Sequence, residues 1–322
     1  MFKTKATEIL GIEHPIICGG MMWVSEANLV AAVSEAGGMG ILASMMFPQK
    51  EKLREEIRKV KSQTQKPFGL NINLFPALRP PNNAELIDVA IEEGVRAIET
   101  SGRSPEEYVK QIKDGGVKLI HKCARVRDAQ TAERLGVDIV VIVGFECGGA
   151  PPMDDITTVI QVPLAVDAVN IPVLAGGGVG DGRGFLAALS LGASGVVMGT
   201  RFMATKECQI HPNVKQALTQ AQATDTVPVL RSLKSMERVL KNDLSLRVVE
   251  MENKGTTLAE LIPLITGEKS LSAWESGDVD KGLIGCGQVI GLISEVKSVR
   301  EVIDGIVGEA RSILEHLCTL TR

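Results

Sequence analysis

Short aliphatic runs alternate along the chain with stretches whose apolar positions recur at helical spacing. HPIICGG (14–20) precedes a helical pattern at 25–36, and GILAS (40–44) precedes a charged one near 50–62. PFGLNINLF (67–75) leads to 84–93, RAIETSG (96–102) to 105–113, and VKLIHKC (117–123) to 126–135. DIVVIVG (138–144) runs into a loop rich in glycine and proline before a helix near 157–169. IPVLAGGGV (171–179) leads to 182–191, and GVVMGTRF (195–202) ends the series. Strands that alternate with helices build a parallel sheet. Eight such units in about 220 residues predict an α/β fold closed as a (β/α)8 TIM barrel. A doubly wound open sheet is the competing arrangement.

After Phe202 the rhythm changes. HPNVKQALTQAQ, SMERVLKN and TLAELIPLI read as helices without a strand partner, which predicts a small, mainly helical domain inserted after the eighth strand. The long helical pattern at 293–318 can return to the barrel. The expected division is residues 1–222 plus 281–322 for the barrel and its C-terminal helix, and 223–280 for the second domain.

Composition agrees with a barrel and removes several function classes. Apolar residues make up 44% of 322, enough for a large core, whereas aromatics are only 3% and glycines number 33. A net charge of −4 without long basic runs gives no footprint for nucleic acid. No stretch approaches the ~18 apolar residues of a membrane span, and MFKTKATEIL has no signal-peptide core. Six scattered cysteines without a CxxC pair read as reduced thiols. The expected location is cytoplasmic, no metal is expected, and a homo-oligomer is left open.

In such barrels the chemistry lies at the C-terminal ends of the strands, and a phosphate often sits beyond strands seven and eight. Those ends are Gly176-Gly177-Gly178-Val179 and Met198-Gly199-Thr200-Arg201, where missing Cβ atoms let backbone N–H groups approach an anion. Turn-making alone is the competing account. Asp181 is placed as the N-cap of the next helix. Asn71 and Asn73 share one face of the third strand, where they can bond a planar heterocycle or merely edge the strand. Lys122 ends the fifth strand; it can offset developing negative charge or pair with a carboxylate. Alternation turns its neighbour His121 toward the helices. Gly20-Met21-Met22 at the first strand end can floor an aromatic ring or fill core.

HPIICGGMMWVS, AGGMGILAS, PFGLNIN, HKCARVRDAQTAERLGVDIVVIVGFECGG, IPVLAGGGVGDGRGFLAALSLGASGVVMGTRFMATKEC and GLIGCGQVIGLI together resemble the nitronate monooxygenase family. The wider group includes FMN-dependent enoyl-acyl-carrier-protein reductases and NAD(P)H:quinone reductases. The resemblance implies FMN at the barrel mouth, with Gly20, Met21 and Met22 along its ring and Asn71 and Lys122 at its polar edge. It implies Gly177, Gly178, Gly199 and Thr200 at the phosphate. The turn Gly285-Cys286-Gly287-Gln288 closes over the cofactor, and the second domain covers the substrate.

The loop Gly148-Gly149-Ala150-Pro151 departs from the family, which usually carries a histidine base after the glycine pair. The loop's place beside the ring leaves Gly148 and Gly149 as cofactor contacts. With Ala150 there, the expected chemistry rests on the cofactor, Lys122 and Glu146. Glu146 can equally be held by backbone amides, Cys147 can be a donor or a buried thiol, and Asp154 or Asp155 can cap the following helix. The expected activity is NAD(P)H-dependent reduction of an activated double bond in an enoyl thioester or a quinone. NADH or NADPH is then a transient donor, and the substrate is a small molecule such as an acyl thioester. Nitronate oxidation with O2 is the alternative, and a non-redox flavoprotein (isomerase, dehydratase or FMN carrier) the second.

Overall fold

The computed structural model describes residues 2–76 and 80–320; residues 1, 77–79 and 321–322, which fall in the expected barrel range, lie outside the described residues. Helix α1 (Lys5–Leu10) precedes strand β1 (Ile16–Cys18). There follow α2 (Ala27–Glu35), β2 (Met39–Ala43), α3 (Lys50–Gln63), β3 (Gly69–Asn73), α4 (Asn83–Glu92) and β4 (Ala97–Ser101). Next come α5 (Glu106–Asp114), β5 (Lys118–Cys123), α6 (Val126–Arg134), β6 (Ile139–Val143), α7 (Thr158–Ala168) and β7 (Val173–Gly176). Then α8 (Gly182–Ser190) leads to β8 (Val196–Met198). The strands pair in chain order, all parallel, and β8 pairs with β1 to close the barrel.

Strand alternation sorts the side chains into two cores. Ile17, Met39, Ile41, Ala97, Ile120, Ile139, Val141, Leu174 and Val197 fill the barrel interior, and Ala6 and Leu10 of α1 close its lower end. Residues of the other parity, such as Leu119, Cys123, Val140 and Ile142, join the layer beneath the helices. Gly40 shows how tight that layer is: a Cβ there would lie 2.3 Å from the Val30 carbonyl oxygen, so α2 rests directly on the β2 backbone.

Beyond β8 the chain continues through α9 (Thr200–Met203) and α10 (Pro212–Gln220) to β9 (Thr226–Val229) and β10 (Glu237–Leu240). Helices α11 (Asp243–Asn253), α12 (Leu258–Ile265) and α13 (Gly267–Ser276) complete the insertion. The helical expectation for SMERVLKN is corrected here, because Glu237–Leu240 pairs antiparallel with Thr226–Val229. Met236, Val239 and Leu240 have helical spacing, but the pairing brings Val239 together with Val229, Leu244, Val248 and Leu261 in a small separate core. The last helix, α14 (Val299–Thr319), returns to the barrel as expected: Gly182 of α8 lacks a side chain where Glu309 and Ala310 press against it, and its N–H donates to Glu309 Oε2 at 2.6 Å.

Candidate active site

The C-terminal ends of the strands open into a cavity of about 690 Å3, within the range of small-molecule sites. Its walls include Gly20, Met21, Met22, Asn71, Lys122, Glu146, Gly148, Gly149, Ala150, Gly177, Gly178, Gly199 and Thr200, so the separate strand-end motifs converge. Gln288 does not line it; Gly287 and Val289 on either side do, and the Gln288 N–H donates to the Glu146 carbonyl (2.9 Å). A second cleft of about 400 Å3 lies at the opposite end of the barrel, between Glu13 and Lys66.

One polar cluster sits at the interior mouth. Asn71 Nδ2 donates to Glu99 Oε2 at 2.7 Å, and Lys122 Nζ stands 3.0 Å from the same oxygen. Glu99 is fully buried, while Lys122 keeps 22% of its side chain exposed toward the cavity. The other carboxylate oxygen, Oε1, has no hydrogen-bond partner among the described residues. Glu99 was absent from the sequence reading although its inward parity with Ala97 on β4 was available as a signal. A Cβ on Gly20 would fall 2.4 Å from Asn71 Cβ, so the β1 turn comes onto the cluster only because residue 20 is glycine.

His121 faces the helix layer as expected. Its Nδ1 lies 2.8 Å from Thr100 Oγ1, and burial lowers its pKa to about 4, so the ring is neutral at neutral pH. Cys147 is a thiol pushed up to about 12 by burial, which removes it as a thiolate nucleophile.

Glu146 lines the cavity and also reaches across its loop. Both carboxylate oxygens accept from the Thr158 N–H at 3.0 Å, and Oε2 accepts from the Thr158 hydroxyl as well. The cap of α7 is thus supplied by Glu146, since the N-cap residue Thr157 makes no side-chain cap bond. The expectation that Asp154 or Asp155 caps this helix is corrected: Asp154 lies 3.8 Å from Arg125, and Asp155 pairs with Arg231. Replacing Glu146 by Ala should lower stability by about 1 kcal/mol, the usual worth of such a cap. Denaturant titration against wild type checks this.

At the ends of β7 and β8, where a phosphate is expected, Gly177 and Gly178 hold φ of 95° and 73°, a left-handed pair that L side chains resist. Asp181 caps α8 as expected, accepting from the Gly184 N–H at 3.0 Å. Thr200 Oγ1 accepts from the Gly287 N–H at 2.9 Å, which keeps its own proton for another acceptor and ties down the covering turn. The insertion supplies Ile265, Ser270 and Trp274, the segment returning to the barrel supplies Leu283, and Trp23 of the β1 turn lines the cavity with them. Among the described residues no group of His, Cys, Asp and Glu is placed to hold a metal, and no helix is long and apolar enough to cross a membrane.

A family model described as nitronate monooxygenase matches residues 3–309. A solved FabK from Thermotoga maritima is 37% identical with a TM-score of 0.94, covering 99% of this chain and 100% of that one. A curated relative from Rhodococcus jostii, a (3aS,4S,5R,7aS)-5-hydroxy-7a-methyl-1-oxo-octahydro-1H-indene-4-carboxyl-CoA dehydrogenase, is 33% identical over 99% of this chain and 98% of its own. A probable nitronate monooxygenase from Staphylococcus haemolyticus is 35% identical over 70% of this chain and 74% of its own. Matched from one end of its barrel to the other, the chain belongs to the nitronate monooxygenase family of flavin-dependent oxidoreductases.

Proposed function

We propose that the chain binds FMN and uses NAD(P)H to reduce the activated double bond of an acyl thioester. One observation carries this reading. Of the relatives above 30% identity described here, those similar over the whole length are FabK, an enoyl-acyl-carrier-protein reductase, and an enzyme named for a carboxyl-CoA substrate, whereas the probable nitronate monooxygenase aligns with 70% of the chain. Ala150 in the position of the family's usual base points the same way, since a methyl group takes no proton from a neutral nitroalkane.

The residues at the barrel mouth fit the cofactor. The left-handed glycines 177 and 178, with Gly199 and Thr200, form a cradle of backbone N–H groups and one hydroxyl for a phosphate. The Asn71–Glu99–Lys122 cluster offers donors and an unsatisfied carboxylate oxygen to the polar edge of a flavin ring. FMN, when bound, supplies the hydride chemistry. Lys122 would supply positive charge to the polar edge of the bound cofactor, and Met21, Met22, Trp23 and Trp274 would give it apolar walls.

Anaerobic stopped-flow tests the proposal. NADH or NADPH should bleach the flavin band, and a 2-enoyl thioester should restore it without oxygen. A flavin that neither nucleotide bleaches sinks the reductase reading. Oxygen uptake with propionate 3-nitronate, and no response to the thioester, replaces it with nitronate oxidation.

A further inference from the structure

Strand β10 brings a carboxyl into the cavity that the sequence pattern concealed. Arg238 and Gly149 exchange both backbone hydrogen bonds, Arg238 N–H to the Gly149 carbonyl at 2.7 Å and the reverse at 3.1 Å. Glu237 precedes Arg238 and Ala150 follows Gly149, so the two flank this bridge, and both line the cavity. The bridge thus brings the carboxyl to the same part of the cavity as Ala150.

Its surroundings leave it without a counter-charge. The Glu237 carboxyl makes no hydrogen bond or ion pair with any described residue, and the residue's partner on β9 is Val229. The next side chain, Arg238, is directed elsewhere: its guanidinium lies 4.5 Å over the Phe145 ring and donates to the Phe145 carbonyl at 3.2 Å. The other ionisable groups lining the cavity are Lys122, Cys123, Glu146 and Cys147. Lys122 is paired with Glu99, Glu146 is engaged at Thr158, and burial pushes up the thiols of Cys147, Cys123 and the neighbouring Cys286. Burial also raises the Glu237 pKa above the ordinary carboxylate range, so its acid form persists to higher pH.

We propose that Glu237 is the general acid of this enzyme, protonating the substrate carbon next to the thioester carbonyl from the cavity wall it shares with Ala150. The assignment rests on the reductase reading. In that reaction a hydride adds to the β-carbon, and the C=C π pair moves onto the α-carbon and carbonyl. The Glu237 O–H bond then breaks as the new α-C–H bond forms, and water returns the proton to the carboxylate. One NAD(P)H and one proton are consumed per double bond.

Glu237→Gln keeps the shape and removes the proton, and separating the two half-reactions reads its effect. Anaerobic flavin oxidation by a 2-enoyl thioester should slow by about 10²–10⁴-fold, with flavin reduction by NAD(P)H changed far less. In wild type that oxidation should fall as pH rises through the raised Glu237 pKa; the Gln variant should lose this pH limb, and Glu237→Asp should recover part of the rate. Independently of turnover, a carboxyl infrared band that titrates above the ordinary carboxylate range in wild type should be missing from the Gln variant. Equal oxidation rates with the pH limb retained overturn the role of Glu237 and leave the reductase reading standing. A wild-type flavin that NAD(P)H reduces but no enoyl thioester reoxidises overturns the reading itself, and the assignment with it.

Discussion

Lys122→Met should cost about 3 kcal/mol of stability, and it should weaken flavin retention roughly ten- to hundredfold. Glu99 is fully buried, and Lys122, 3.0 Å away, is the cation paired with it. Removing one member of a buried ion pair leaves the other charge without its counter-ion, which typically costs more than the pair ever contributed. The lower end of that range applies, because Lys122 is 22% exposed and Asn71 still donates to Glu99. The flavin effect has a separate cause: in the proposed FMN site the same ammonium would face the cofactor's polar edge, and a charged hydrogen bond is worth about 1.5–3 kcal/mol. Adding Glu99→Gln should separate the two. With no buried carboxylate left, most of the stability returns, while flavin retention stays low because the cation is still missing. Denaturant midpoints and flavin released on ultrafiltration measure both. If the single variant matches wild type in stability, the Glu99 carboxylate is not held as an anion by Lys122.

The barrel was legible because its signal is local and repeated. Each strand pairs with its chain neighbours, so alternation alone set His121 outward and opposite to Lys122, and put Asn71 and Asn73 on one face; the closed barrel makes that face the interior. The same alternation could have given Glu99, whose position on β4 matches that of Ala97. Glu237 had no comparable signal. Its strand is held by β9, by Gly149 in the β6 loop and by Gly285 in the covering turn, segments far apart in the chain. Apolar spacing within SMERVLKN fits a helix equally well, and only those distant partners decide for a strand. Glu146 was legible as a choice, because its neighbours include both the cavity and the start of α7; the loop path settles where its oxygens go.

Gly148→Ala should break the clamp over the site. A Cβ at Gly148 would lie 2.6 Å from the Cys286 carbonyl carbon and 2.7 Å from both Cys286 Cα and the Gly287 nitrogen, all of them backbone. The reverse contact is as close, since a Cβ on Gly287 would fall 2.7 Å from the Glu146 carbonyl oxygen. No rotamer change relieves such contacts, so the loop and the turn must separate. That turn is anchored by Gly287 N–H to Thr200, Gln288 N–H to Glu146 and the Gly285–Val239 bridge. Separation therefore strains the proposed phosphate cradle and the β10 pairing together, at a cost of about 1–3 kcal/mol. Gly149→Ala is the contrasting change: nothing lies within 4 Å of its Cβ, and only the positive φ of 71° opposes it. It should cost about 1 kcal/mol through backbone strain alone. Flavin Kd should then rise at least tenfold for Gly148→Ala and change little for Gly149→Ala, as measured by flavin fluorescence titration. If the two variants bind flavin equally, the contact between loop and turn does not govern cofactor retention.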